Sequence, residues 1–362
     1  MHRIILQVVV FVGLLSMVLS AQAGAASLIV GTCKIGVQFS TIQAAVDAAP
    51  TGGTIQVCPG IYSEQVSIGK QLVLKGISSG TAGAAVITPP ATGLVPNFTG
   101  GMYTTVAAQL LVHDTTGVSI SNLTIDGAGA TCPAPSGWAG IAYESYGGSI
   151  TINNVAVRNG SSYPDCKGAA VLSENGNSLT LQNSSIHGFY YGVISSEGTG
   201  ANITGNLITN GLRGIYVVGT APATISNNTI LGIDFPQDAA IFVVSLVNLI
   251  ANNVTVSGNT IEGSTFNGIA FDSVTNSKVT GNKVIGFQYG MFLVDMTSTV
   301  VQTNVIRNSG TGIFLAEYDD AGGNTLTNNT VNDATCGISL GNIIGSKVAP
   351  NSLYNVTATT CN

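Results

Sequence analysis

A six-residue phrase in which aliphatic and polar positions alternate around a polar corner recurs through most of the chain. It reads "ISNLTI" at 120–125, "INNVAV" at 152–157, "LQNSSI" at 181–186, "ITGNLI" at 203–208, "ISNNTI" at 225–230, "VSGNTI" at 256–261, "VTGNKV" at 279–284, "VQTNVI" at 301–306 and "LTNNTV" at 326–331. A second phrase, a small residue followed by aliphatic or aromatic ones, precedes most of these: "GIAY" at 140, "GIYV" at 214, "GIAF" at 268, "GMFL" at 290 and "GIFL" at 312. The small residue, here called the anchor, stands 14 positions before a central Asn (Asn154, Asn206, Asn228, Asn282, Asn304). Successive anchors at 268, 290 and 312 are 22 residues apart.

Alternation at period two predicts strands, and Asn or Gly at a fixed corner supplies the left-handed backbone that a tight bend needs. A 22-residue unit of two or three short strands cannot bury its own apolar side. Stacked at the strand spacing of about 4.8 Å, such units bury a continuous column. The fold class predicted is all-β: a parallel β-solenoid.

One segment breaks the pattern. "TIQAAVDAAP" (41–50) predicts a short helix, with Ser40 and Gln43 as a capping box, Ile42, Ala45, Val46 and Ala49 as its apolar face, and Pro50 with Gly52 and Gly53 as its stop. An open solenoid end would pair with another chain, and a helix laid over it prevents that.

The repeat resembles the right-handed parallel β-helix proteins, including the pectin-lyase-like superfamily and the NosD-type repeats of carbohydrate-binding and sugar-hydrolase domains. The wording "TIQAAVDAAP…GTIQVCPGIYSEQV" resembles the start of pectin methylesterases, where such a helix caps the β-helix. The resemblance implies a polysaccharide partner. It does not bring the methylesterase Gln-Asp-Thr segment or Asp/Asp/Arg set. Of the polygalacturonase motifs only Tyr318-Asp319-Asp320 has an echo. Some NosD-type proteins bind copper, but the two His (His113, His187) and three Met (Met102, Met291, Met296) after the leader form no cluster.

Composition adds the compartment. Residues 1–23 read as a signal peptide, with His2 and Arg3, an apolar run from Ile4 to Leu19, and Ala21-Gln22-Ala23 as the cleavage site. Residues 24–362 then form one β-helix domain: cap at about 33–60, coils at about 54–345, tail at 346–362. A secreted or periplasmic location follows, with no membrane span once the leader is removed. Only 8% of residues are charged, the net charge is −6, and no Lys/Arg cluster exists, so nucleic acid is not expected as a partner. In an exported chain the six Cys read as disulfides. The loops 127–138 and 159–168 leave consecutive coils side by side, which pairs Cys132 with Cys166. Cys33 and Cys58 flank the helix and form a second pair, and Cys336 and Cys361 remain as the third.

Candidate chemistry is sparse. Neither His113 nor His187 has a serine or carboxylate at a recognisable motif spacing, although His113 and Asp114 are adjacent, and a Ser-His-Asp hydrolase is not expected. Aligned on the anchors, acidic residues gather at one strand end: Glu144, Glu174, Glu197, Asp272, Asp295 and Glu317, with Asp319 and Asp320 in an enlarged coil. A solvated strand end is the plainer account. The functional one places Asp295 and Glu317 one coil apart, sharing a proton, a sugar-hydroxyl network or a Ca²⁺, with Asp272, Asp319 and Asp320 around them. The second position after the anchor carries Tyr216, Phe242, Phe292 and Phe314, expected to point outward as sugar-stacking surfaces unless neighbouring turns cover them. Two functions fit: an exported polysaccharide-binding or polysaccharide-processing protein, which as an enzyme would be a glycoside hydrolase or polysaccharide lyase, and a non-enzymatic adhesin-like surface solenoid.

Overall fold

The computed structural model describes residues 27–77, 84–100, 105–130, 137–160, 168–220, 222–234, 238–264, 266–318 and 321–361. The expected leader, the Cys132–Cys166 pair, and Asp319 with Asp320 lie outside the described residues. All strand pairings between coils are parallel, and each coil contributes three strands. In one coil these are Asn267–Asp272, the long strand that carries the anchor, then Lys278–Thr280, then Lys283–Ile285 after the Asn corner. The middle strands of successive coils form one sheet, and the other two kinds form another. Register keeps like over like: Val256 pairs with Val279, Val279 with Val301, and Val301 with Leu326, all buried. The aliphatic columns so formed make a single core running the length of the stack.

The Asn corner divides its work between two residues. The residue before the central Asn takes the left-handed conformation, as at Gly205, Asn227, Gly258, Gly281, Thr303 and Asn328. The central Asn points inward and is buried, and its Oδ1 accepts from the backbone N–H and the Nδ2 of the Asn one coil earlier. Asn206, Asn228, Asn259, Asn282, Asn304, Asn329 and Asn351 form this ladder. In the earlier coils Asn154 and Asn183 occupy the left-handed position instead, and Ser184 stands where the ladder begins. Equal spacing from the anchor hid this one-residue shift.

The anchor is small because two things press on it. A Cβ added to Gly268 would lie 2.3 Å from Val284 Cγ1 and 2.6 Å from the carbonyl oxygen of Gly290. Gly290 meets Ile306 and Gly312 in the same way. Gly268→Ala is therefore expected to cost about 1–3 kcal/mol through overpacking, read as a lowered urea midpoint. An unchanged midpoint would mean that the column relaxes around a methyl group, as it does where Ala170 and Ala240 hold this position.

The helix, α1 (Ile42–Ala48), buries Ile42, Ala45 and Val46 against the first strands. Its N-cap is Thr41 rather than Ser40: Thr41 Oγ1 accepts from Ala44 N at 3.2 Å. Gln43 does not complete a capping box. Its own N–H and that of Ile42 go to the carboxylate of Glu64, at 2.9 and 2.7 Å, so the anion that the helix start favours comes from the next coil. Cys33–Cys58 closes beside this cap, and Cys336–Cys361 closes at the other end. Residues expected as a tail add another rung: Ser352–Cys361 pairs with Thr330–Leu340.

Candidate functional site

On the long strands the first and third positions after the anchor point into the core, as Ile269 with Phe271 and Met291 with Leu293 show. The second position faces away from the core, where Tyr216 is covered at 5% exposure in a second apolar cluster with Ile194 and Val218, while Phe242, Phe292 and Phe314 are half-buried. Register stacks Tyr216 on Phe242 and Phe292 on Phe314, with Ala270 between the two pairs. Tyr216 and Phe242 meet edge to face at 5.1 Å between centroids; Phe292 and Phe314 lie nearly parallel at 4.9 Å. The residue before the anchor faces out as well and adds Tyr191, Arg213 and Tyr289. Two aromatic platforms result. Tyr289, with Phe266 beside it, abuts Phe292 and Phe314. Tyr190 and Tyr191 extend the Tyr216–Phe242 pair.

Arg213 sits within the second of these. Its guanidinium carbon is 4.7 Å from the ring centroids of both Tyr190 and Tyr191 and 5.8 Å from that of Tyr216. Its Nε donates to Asp238 Oδ2. The electrostatics follow from burial and this pairing. Burial pushes the Tyr191 phenol up to about 12, with Arg213 opposing. Burial also raises Asp238, and the Arg213 charge only partly offsets it. For Arg213 burial works against the charge, but Tyr191 and Asp238 outweigh it and the pKa is raised. The site thus holds a permanent cation beside a phenol that keeps its proton. Sequence reasoning missed Arg213, Tyr190, Tyr191 and Asp238. The available signal was Tyr191 and Arg213 recurring one residue before anchors 22 apart.

The acidic strand end has a different explanation. The fifth position after the anchor is a turn residue with positive φ: Glu197 (54°), Gly219 (56°), Ser273 (57°) and Asp295 (51°). Polar residues and Gly tolerate that conformation, which accounts for Glu197 and Asp295 but not for Glu144, Glu174, Asp272 or Glu317. Asp272 accepts from Ser273 Oγ at 2.8 Å, and Asp295 Oδ1 accepts from Tyr318 N at 2.7 Å. Glu317 is fully buried. Its carboxylate accepts from Asn324 Nδ2 at 2.9 Å, from Ile344 N and from Ser346 Oγ. Asp295 and Glu317 therefore serve separate hydrogen-bond sets. Among the described residues no three His, Cys, Asp or Glu side chains converge as a metal site.

His113 meets the adjacent Asp114 and a serine that is distant in sequence. Its Nδ1 lies 2.9 Å from Asp114 Oδ2 and its Nε2 lies 3.0 Å from Ser67 Oγ. Ser67 is 46 residues earlier and reaches His113 because the strand Val66–Ile68 pairs with Leu110–Val112.

Comparison with known proteins places this geometry. Residues 108–269 match the family model "Right handed beta helix region", and residues 242–362 match "Periplasmic copper-binding protein (NosD)". Among solved structures, the A-module of the Azotobacter vinelandii mannuronan C-5 epimerase AlgE6 superposes with a TM-score of 0.62 at 18% identity, over 89% of this chain and 91% of that one. This chain is a right-handed parallel β-helix. The β-helix is also similar to the Dettilon tailspike protein (TM-score 0.57, 14% identity, 84% of this chain and 62% of that one). A mutant of the periplasmic alginate epimerase AlgG gives a TM-score of 0.51 at 12% identity, over 86% and 83%. Curated protein sequences gave no match. The copper implied by the second family does not fit the residues present. The matched segment has no His, its two Cys are joined in a disulfide, and Met291 and Met296 are buried in the core.

Proposed function

We propose that this β-helix is an exported protein that binds a polysaccharide along the outer face of its long strands, with an acidic sugar held at Arg213. The observation that carries the reading is the register-stacked outward column of aromatic rings with a guanidinium inside it. Phe292 and Phe314 stack on one another, so what they offer a sugar chain is a strip of ring edges spaced by the coil repeat of about 4.8 Å, continued by the half-buried Phe242. The guanidinium already pairs with Asp238 and its side chain is 12% exposed, so a carboxylate-bearing glycan would take the place of Asp238 on the same planar fork. The likeness to epimerases named for mannuronan and alginate supports the same class of ligand, and the two disulfides suit an oxidising compartment.

The test is binding of mannuronan, polygalacturonate and a neutral glucan by titration calorimetry, with new reducing ends and unsaturated uronates assayed in parallel. Wild type is expected to prefer the acidic polymers. Phe292→Ala with Phe314→Ala should weaken binding by about tenfold or more, since each stacked ring contributes about 0.5–1.5 kcal/mol. Arg213→Lys, which keeps the charge but loses the planar stack, should reduce the preference for acidic over neutral polymer. Binding of none of the three by the wild type would reject the proposal and leave the adhesin-like solenoid as the better reading.

A further inference from the structure

We propose that Ser67, His113 and Asp114 form a separate hydrolytic site that cleaves carboxylic esters. The three side chains make a continuous hydrogen-bonded chain: Ser67 Oγ to His113 Nε2 at 3.0 Å and His113 Nδ1 to Asp114 Oδ2 at 2.9 Å. A carboxylate only accepts, so the proton of the neutral ring lies on Nδ1 and Nε2 is left to accept from the serine hydroxyl. That is the tautomer a general base requires.

The nucleophile is held in place through its backbone. Gln43 of α1 grips both polar groups of Ser67: Gln43 Oε1 accepts from Ser67 N at 2.8 Å, and Gln43 Nε2 donates to Ser67 O at 3.2 Å. The base is reachable. The His113 side chain is one-third exposed, at 33%. It lies over Gly69, where an added Cβ would come within 3.1 Å of Cε1 and 3.3 Å of Nε2, so the ring's close seat on the backbone depends on that glycine. Glu144 stands in register with His113 one coil further on and supplies a second carboxylate near the imidazole.

The reaction balances with water as the sole co-reactant. Ser67 Oγ forms a bond to the acyl carbon as its proton passes to His113 Nε2. The carbon–oxygen bond to the alcohol breaks, and the leaving alkoxide takes that proton from His113. Water then gives a proton to His113 and its oxygen to the acyl carbon, releasing the acid and the free Ser67 hydroxyl, which recovers its proton from His113. Asp114 acts as a positioning residue for the ring. Ser67 N–H is already committed to Gln43, so it is not available to a developing oxyanion. A site without that donor suits the more reactive carbonyl of an ester rather than an amide.

The experiment uses the full-length exported protein, a fluorophosphonate probe and p-nitrophenyl acetate. The probe is expected to label wild type at Ser67, located by peptide mass spectrometry, and the ester to turn over above the buffer rate. Ser67→Ala should abolish both, and Asp114→Asn should lower kcat by at least about tenfold with little change in KM. No label at Ser67 in the folded wild type, or ester turnover unchanged in a folded Ser67→Ala protein, overturns the proposal. If a variant fails to fold, the position of the wild-type label decides alone. The ester carries no sugar, so this outcome is independent of polysaccharide binding at the aromatic platforms.

Discussion

Asn259→Ala is expected to lower the stability of the protein by about 3–5 kcal/mol, among the largest losses available to a single truncation in this chain. Asn259 is 1% exposed and sits mid-ladder. Its Oδ1 accepts from Asn228 N at 2.9 Å and from Asn228 Nδ2 at 3.0 Å; its Nδ2 donates to Ile225 O and to Asn282 Oδ1, each at 2.9 Å. Alanine removes all four contacts, leaves the Asn228 backbone N–H buried without a partner, and takes one bond each from the Asn228 side chain and the Ile225 carbonyl. Each such group costs about 1–3 kcal/mol, whereas the cavity left by a short amide adds little. Lys278→Ala, on an exposed position of the same region, should stay within about 0.5 kcal/mol. Urea unfolding of the three proteins checks this. A loss below about 1 kcal/mol for Asn259→Ala would mean that water enters the corner and replaces the amide, and that the ladder is not what fixes coil register.

Glu317→Ala is expected to destabilise by about 3–5 kcal/mol. The carboxylate is shut off from solvent and gathers the side chains of Asn324 and Ser346 and the Ile344 amide. It ties an enlarged coil to the one after it. Without it three donors face a void. The loss should appear both as a lower melting temperature and as faster amide exchange across residues 341–346. Glu317→Gln keeps one acceptor oxygen, sets an NH₂ against donors and should fall between alanine and wild type. A protein that melts like wild type but binds polysaccharide less well would return Glu317 to the ligand site.

These outcomes bear on what could be read from residues alone. The repeat period, the apolar face of α1, the small anchors and the Cys33–Cys58 and Cys336–Cys361 pairs are local or near-local properties. Their causes, alternation, corner conformation and short loop closure, are visible in the order of residues. The period-two rule put Phe242, Phe292 and Phe314 on the side of the strand away from the core, where they are half-buried, but it could not see that neighbouring side chains cover Tyr216. What escaped depends on neighbours in other coils. Glu317 and Asp295 share a position after their anchors, yet the Asp295 backbone turns left-handed while the coil after Glu317 brings Ile344 and Ser346 over it. Arg213 gains its character from tyrosines one coil back, and Asp238 arrives from the following turn. Ser67 meets His113 only because a gap of 46 residues spans one rung of pairing. Motif spacing has no means of seeing such encounters, since the stack converts large sequence distances into single steps.

The asparagine ladder also sets how such a chain can change its length in evolution. Neighbouring rungs are joined by identical amide contacts whether the intervening segment is 22 residues, as from Asn206 to Asn228, or 31, as from Asn228 to Asn259. Part of the surplus in the longer coil lies between Asn228 and Ala240 and the rest in the turn around Leu246–Leu249, and the corner is left untouched. Lineages carrying this architecture can therefore lengthen the molecule by duplicating whole turns, or decorate it by expanding a turn between strands. A gain or loss of one or two residues inside a strand would instead rotate every later side chain out of its column, and selection should remove it.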